Sequence, residues 1–215
     1  MEDGAVKEIL FYRLPKRLLD IIVSLLALVV FSPLFLIIGL WIKFSAGTSH
    51  VFYSQDRVGK GGKHFKIYKF QSMVDNADEI LKSDKDLYQR FVENGYKLPT
   101  KEDPRITKIG SVLRRTSLDE LPQFWNTLIG NMSIIGPRPV VEKELAEYGS
   151  QERIDKFLSV KPGVFGLWQA SGRSNIGYPE RAHIELEYVD EANLALDFKI
   201  MFLTVIAIFK GDGAF

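Results

Sequence analysis

The chain has 215 residues, of which 46% are hydrophobic and 26% charged, and its formal net charge is +1. That length suits one compact domain with an appendage, and so even a charge carries no signal for nucleic acid. The chain contains no cysteine, which excludes thiol catalysis, a zinc–thiolate site and a disulfide framework.

The first long element is apolar. Ile21 to Ile42 carries no charged residue, and as a helix it would extend about 33 Å, enough to span a bilayer core. It is longer than a signal-peptide core and lacks a small-x-small cleavage site. Pro33 interrupts it and removes the hydrogen bond to the Val29 carbonyl, while Ser32 can bond back to the Leu28 carbonyl and deepen the bend. Both flanks are positive: Arg13, Lys16 and Arg17 precede the run, and Lys43, Arg57, Lys60, Lys63, Lys66 and Lys69 follow it. Positive charge prefers the cytoplasmic side, so a helix that enters, breaks near Ser32-Pro33 and returns would keep both ends inside. Composition alone slightly favours a simple span, because proline is tolerated in spanning helices. Asp20 reads as the partner of Lys16 or Arg17 in an interfacial ion pair.

Val51 to Met73 reads as two short strands around Gly59-Lys60-Gly61-Gly62, with alternation through Lys63 to Phe70. No P-loop pattern accompanies these glycines, so a hairpin turn is the expectation. Val74 to Asn94 reads as one amphipathic helix. Gly95 to Thr107 reads as a connecting polar loop, and Ile109 to Arg115 as a short helix.

Arg114-Arg115-Thr116-Ser117-Leu118-Asp119-Glu120-Leu121-Pro122 then sets two adjacent carboxylates beside two arginines. Ser117 to Glu120 fits a capping box, or Asp119 is itself the N-cap; either places Asp119 at the start of a helix from Glu120 to Ile129. A cap is the common meaning of such a motif, and its company is what argues for chemistry. Helix N-termini bind phosphate. Arg138 is held between prolines in Gly136-Pro137-Arg138-Pro139, after an apolar strand from Met132 to Ile135. Ser171-Gly172-Arg173-Ser174 offers another guanidinium. Phe124, Trp125 and Leu128 read as core. His183, in a charged helix from Pro179 to Tyr188, reads as a solvated side chain. Ile200 to Phe209 is too short to span and reads as an interfacial or core helix.

Lys16-Arg17-Leu18-Leu19-Asp20, Ser32-Pro33, Phe65-Lys66-Ile67-Tyr68-Lys69-Phe70 and Thr116 to Gln123 form a distinctive set with Gly136-Pro137-Arg138-Pro139, Lys161-Pro162-Gly163 and Gly166-Leu167-Trp168-Gln169. Over nearly the whole chain this set resembles the bacterial sugar transferases, the monotopic polyprenyl-phosphate phosphoglycosyl transferases. The expected fold is α+β: a mainly helical cytoplasmic domain, 47–215, with a small β-hairpin or sheet, anchored by residues 1–46. In that family the Ser-Pro break makes the membrane helix re-entrant, which reverses the composition-only preference for a span.

The resemblance implies transfer of a hexose-1-phosphate from a UDP-sugar to undecaprenyl phosphate, with magnesium and release of UMP, at the start of polysaccharide synthesis. Asp119 would attack the sugar-bearing phosphorus and become a phosphosugar adduct, which the polyprenyl phosphate displaces. Glu120 would bind or orient the metal, or position the incoming phosphate. Asp119, Glu120 and Asp197 are the implied magnesium ligands; Arg114, Arg138 and Arg173 would neutralise the diphosphate, with Lys69 a weaker candidate. The stretch from Val74 to Thr107, continued by Lys108-Ile109-Gly110, looks like the hexose-1-phosphate members, favouring galactose or glucose. The implied location is the bacterial inner membrane, with the catalytic domain on its cytoplasmic face; a homo-oligomer is left open. About 15 residues precede the first motif, as expected for a short form or an excised catalytic part. The alternatives are a UDP-N-acetylhexosamine donor and, from another class, an inactive membrane-docked anion-binding or scaffold protein.

Overall fold

The computed structural model describes residues 9–45, 47–94, 96, 98–172 and 176–210. The apolar run forms two helices, Leu14–Val30 (α1) and Ser32–Lys43 (α2), bent by 59° at Phe31. The run is therefore not one uninterrupted helix, and the bend fits either a broken span or a re-entrant pair. Proline in the first turn of α2 costs that helix nothing but leaves the Val29 carbonyl without its usual donor. The Ser32 hydroxyl fills the gap, donating to Val29 O at 2.8 Å. Its acceptor is thus the carbonyl Pro33 vacates, not that of Leu28. Among the described residues no single helix is long and apolar enough to cross a membrane; the bent pair passes that test jointly, by length and composition.

Both arms lie against the rest of the chain. Ile38 and Ile42 of α2 are buried with Phe70, Ile109 and Leu113, a burial worth about 2 kcal/mol per side chain. Val23, Ala27 and Leu28 of α1 pack on Phe124, Ile134, Ile135, Tyr188 and Ile200. The opposite faces are bare: Leu18, Leu25, Leu26 and Val30 of α1, and Leu36 and Ile37 of α2, are all more than half exposed. The expected ion pair of Asp20 with Lys16 or Arg17 is absent. Asp20 accepts instead from Ser133 Oγ at 2.9 Å and from the Ile134 amide at 2.8 Å. Arg17 donates to the Thr127 and Leu128 carbonyls, 2.7 and 2.8 Å away. The reason is docking: the Ser133 hydroxyl, the Ile134 amide and the Thr127 and Leu128 carbonyls compete successfully with a local pair.

Phe52–Val58 (β1) and His64–Phe70 (β2) form the expected antiparallel hairpin, in register from Phe52↔Phe70 to Val58↔His64. Gly61 and Gly62 adopt φ of 67° and 74° in the turn, a region open to glycine. The single amphipathic helix expected next is two, Ala77–Ser83 (α3) and Lys85–Glu93 (α4). Asp84 divides them, because its extended backbone and its carboxylate, 2.9 Å from the Leu87 amide, make a new N-cap.

Thr107 caps the next helix, Lys108–Arg115 (α5). Gln123–Leu128 (α6) follows, then Ser133–Ile135 (β3), a 3₁₀ segment Glu142–Tyr148, and Gln151–Phe157 (α7). Gly163–Phe165 (β4) pairs with β3 in parallel, Ser133↔Gly163 and Ile135↔Phe165, a second small sheet that the sequence did not announce. A Cβ at Gly163 would sit 2.1 Å from the Gly136 amide nitrogen, so only glycine permits this approach. Leu167–Ser171 (α8), Glu180–Glu191 (α9) and Leu194–Lys210 (α10) complete a mainly helical α+β architecture. His183 is exposed, as expected. Trp125, expected in the core, is 50% exposed, because α6 turns Gln123, Phe124, Asn126 and Thr127 inward around it.

Candidate active site

The Asp-Glu pair does not start a long helix. Ser117 adopts a left-handed backbone, φ 57° and ψ 16°, and its side chain caps nothing. That turn closes α5 and throws the chain into a 3₁₀ turn, Leu118–Glu120, with α6 beginning only at Gln123. The capping box and the helix from Glu120 to Ile129 are thus both replaced. Leu118 and Leu121 pack into the two neighbouring cores, which buries Asp119 to 7% exposure and leaves Glu120 half-buried beside it.

Three cations converge on this turn from three elements. Lys69, near the end of β2, places Nζ 2.7 Å from Glu120 Oε1. Arg138, on the proline-flanked turn after β3, places Nη1 3.5 Å from the same oxygen. Arg114, in the last turn of α5, donates from Nε to Ser72 Oγ at 3.0 Å. Burial pushes the Asp119 carboxyl up to about 6; Lys69, Arg114 and Arg138 pull against that, and the Glu120 charge adds to it. Burial also holds the Arg114 guanidinium below its ordinary value, against the attraction of Asp119. A carboxylate and a guanidinium that both lack solvation are suited to a ligand that completes it.

All five side chains line one cleft of about 580 Å³, whose wall also includes Tyr53, Arg57, Gln71, Ser72, Arg105 and Trp168. Tyr96, Leu98, Asp103 and Arg105, from the stretch read as a connecting loop, also line it. Ile106 bridges to Met73, and the Asp103 carboxylate grips Arg105 Nε and Nη2 at 2.8 and 2.7 Å. Arg115 points to solvent, and Arg173 lies outside the described residues.

Asp197 does not join the pair. It is buried at the start of α10, with Oδ2 2.6 Å from Lys16 Nζ and Oδ1 accepting from the Tyr188 hydroxyl at 2.8 Å. A cation from the first turn of α1 claims it, and it does not line the cleft. Among the described residues, no group of three His, Asp or Glu side chains could hold a metal. Asp119 and Glu120 alone remain as adjacent hard oxygen donors, which fits an ion such as magnesium that takes few protein ligands and keeps water or phosphate oxygens.

Sequence reasoning missed the support around Arg138. Arg57, Glu144, Trp168, Arg181 and Glu185 surround its turn, and Ser72 holds Arg114. One signal was present: in α9, Arg181, Glu185 and Tyr188 adjoin the apolar stripe of Ala182 and Leu186, where solvated charges are uncommon.

Residues 11–211 match the family model for bacterial sugar transferases. Exopolysaccharide production protein ExoY of Sinorhizobium fredii is 42% identical over 218 residues, covering 100% of this chain and 93% of that protein. Undecaprenyl-phosphate galactose phosphotransferase of Salmonella typhimurium is 42% identical over 206 residues, and UDP-glucose:undecaprenyl-phosphate glucose-1-phosphate transferase of Escherichia coli is 39% identical over 211. Each of these two matches covers 94% of this chain but only 42% of the relative, so the chain spans less than half the length of several proteins it resembles. With the match running through α1, the Asp119–Glu120 turn and all of α10, the chain belongs to the bacterial sugar transferase family.

Proposed function

We propose that this chain transfers a hexose-1-phosphate, galactose or glucose, from a UDP-sugar to undecaprenyl phosphate and releases UMP. The observation that carries this reading is the buried Asp119 beside Glu120, with Lys69, Arg114 and Arg138 around them at one cleft. The names of the Salmonella and Escherichia relatives supply the substrate class.

In the first step an Asp119 carboxylate oxygen attacks the sugar-bearing phosphorus. The bond from that phosphorus to the bridging oxygen breaks, and UMP departs with the bridging oxygen and its electron pair. In the second step a phosphate oxygen of the polyprenyl carrier attacks the same phosphorus and the Asp119 oxygen leaves, restoring the carboxylate. Covalent catalysis of this kind divides one phosphoanhydride exchange into two displacements. Arg114 and Arg138 neutralise charge on the phosphoryl oxygens, and their planar forks fix its orientation. Lys69 holds Glu120 in place. Asp119 and Glu120 would hold magnesium, which when bound offsets the diphosphate charge.

The apolar faces of α1 and α2 are bare, and Trp125 of α6 and Phe198 and Phe202 of α10 are also at least half exposed, more exposed apolar surface than a soluble domain usually carries. We assign this surface to the bilayer, with the bent pair entering and leaving on the cytoplasmic face of the inner membrane. The polyprenyl carrier would then reach the cleft from that side. UMP release, measured with purified protein, undecaprenyl phosphate and a panel of UDP-sugars, tests the function. Turnover with UDP-galactose or UDP-glucose supports it. Turnover with UDP-N-acetylhexosamines alone overturns the sugar assignment, and no UMP from any donor overturns the enzyme reading in favour of a scaffold.

A further inference from the structure

We infer that a buried ionic lattice behind the cleft, centred on Glu185 and Arg181 of α9, is a positioning device for Arg138; the role rests on the transferase reading above. The turn that carries Arg138 has few handles. In Pro137-Arg138-Pro139 the Arg138 amide is the one backbone donor, because proline has none. That donor is taken by Glu185 Oε1, 3.2 Å away. The same oxygen accepts from Arg181 Nε at 3.2 Å, and Oε2 accepts the Tyr148 hydroxyl. Glu185 is 1% exposed and does not line the cleft, so it reaches the chemistry only through these partners.

A second path leads from Arg181 to the Arg138 side chain. The Arg181 guanidinium lies 4.7 Å from the centre of the Trp168 ring, and the Arg138 guanidinium 5.8 Å from the same ring. Trp168 thereby carries both cations, and its own place is fixed by a 2.8 Å bond from Nε1 to the Ile176 carbonyl. The third path closes the far side of the turn. Arg181 Nη1 is 3.3 Å from Glu144 Oε2, Glu144 Oε1 is 3.2 Å from Arg57 Nη1, and Arg57 donates to the Pro139 carbonyl at 3.3 Å. The turn is held at the Arg138 backbone, at its side chain and at Pro139 after it.

Stability alone does not explain such a lattice. Two guanidiniums and two carboxylates out of water forfeit hydration that their attraction roughly repays, and a well-packed apolar core of the same volume would serve as well. What fixed, directional bonds add is geometry. A guanidinium that must meet phosphoryl oxygens through a planar fork loses most of its effect when misaimed by about 1 Å.

The test is a double-mutant cycle on the full chain, read as UMP release from UDP-sugar and undecaprenyl phosphate. Glu185→Gln keeps the shape and removes the charge. It is expected to lower kcat about tenfold with the donor KM changed less than twofold. Placed in an Arg138→Lys background, Glu185→Gln is expected to cost less than a further twofold, since the group it aims is already gone. A wild-type kcat for Glu185→Gln, or a tenfold loss repeated undiminished in Arg138→Lys, would overturn the proposal. Should Glu185→Gln not fold, Tyr148→Phe removes one hydroxyl from the lattice and leaves every charge. A loss of roughly threefold confined to the Arg138 background is expected, and equal losses in both backgrounds would refute the role. Wild-type turnover in the same assay tests the transferase reading by itself.

Discussion

Replacing Asp119 with asparagine is expected to stabilise the protein while abolishing turnover. The carboxyl is 7% exposed, and burial, reinforced by the neighbouring Glu120, pushes it from the ordinary 3.8 to about 6. Each tenfold change in proton affinity corresponds to about 1.4 kcal/mol, so the ionised form is disfavoured in the folded chain by about 3 kcal/mol at neutral pH. The folded protein binds this proton more tightly than the unfolded chain does. Stability is therefore fully present below the unfolded value and is lost as pH rises through about 6. Asparagine is neutral throughout and suffers no such loss. At pH 8 the variant is expected to unfold about 6–10 °C above wild type, with about half of the free-energy advantage left at pH 5. Thermal unfolding of the purified proteins in detergent between pH 5 and pH 8 measures this. Equal midpoints at pH 8, or a difference that does not grow with pH, would refute the argument. Turnover of wild type should rise with pH through the same region, because the attacking group must be ionised.

Arg138→Lys keeps the charge but loses the planar fork, and we expect kcat to fall ten- to a hundredfold in the UMP-release assay; an unchanged rate would make Arg138 structural. Asp197→Asn breaks the buried pair with Lys16, so calorimetry should show a loss of about 3 kcal/mol, while the magnesium dependence of turnover stays at its wild-type value. A raised magnesium requirement would restore Asp197 to the metal site. For topology, cysteines introduced singly at Asp3 and Ser49, in a chain that has none, should both resist a membrane-impermeant thiol reagent on intact cells. Labelling at the Asp3 position alone would show a spanning helix.

What the sequence revealed was governed by local chemistry. Pro33 lies inside a continuous apolar run, where it removes a backbone donor and clashes with the preceding turn, so a bend near it was legible; Gly59 to Gly62 likewise marked the hairpin. Asp119 and Glu120 stood out by their company of arginines, and Lys69, Arg114 and Arg138 are indeed grouped with them. The helix after them was misread because Ser117 takes a left-handed turn, a choice made by the packing of Leu118 and Leu121 and not by capping chemistry. The partners of Asp20 and Asp197, Ser133 and Lys16, were not legible because each lies more than a hundred residues away. Arg181 and Glu185 stand at i,i+4, a spacing that ordinarily means a solvated pair; only the fold shows both buried. Trp125 departs from the rule that a helical apolar stripe faces the core, and the bilayer contact proposed above would account for its exposure.

Intact-mass analysis of the protein incubated with UDP-sugar and magnesium, but no lipid acceptor, shows whether Asp119 carries the phosphosugar. We expect a single phosphohexose adduct that maps to the peptide containing Asp119, is absent from Asp119→Asn, and disappears when undecaprenyl phosphate is added. UMP release that requires both substrates together, with no adduct at any time, would contradict the claim and point to direct transfer between donor and acceptor.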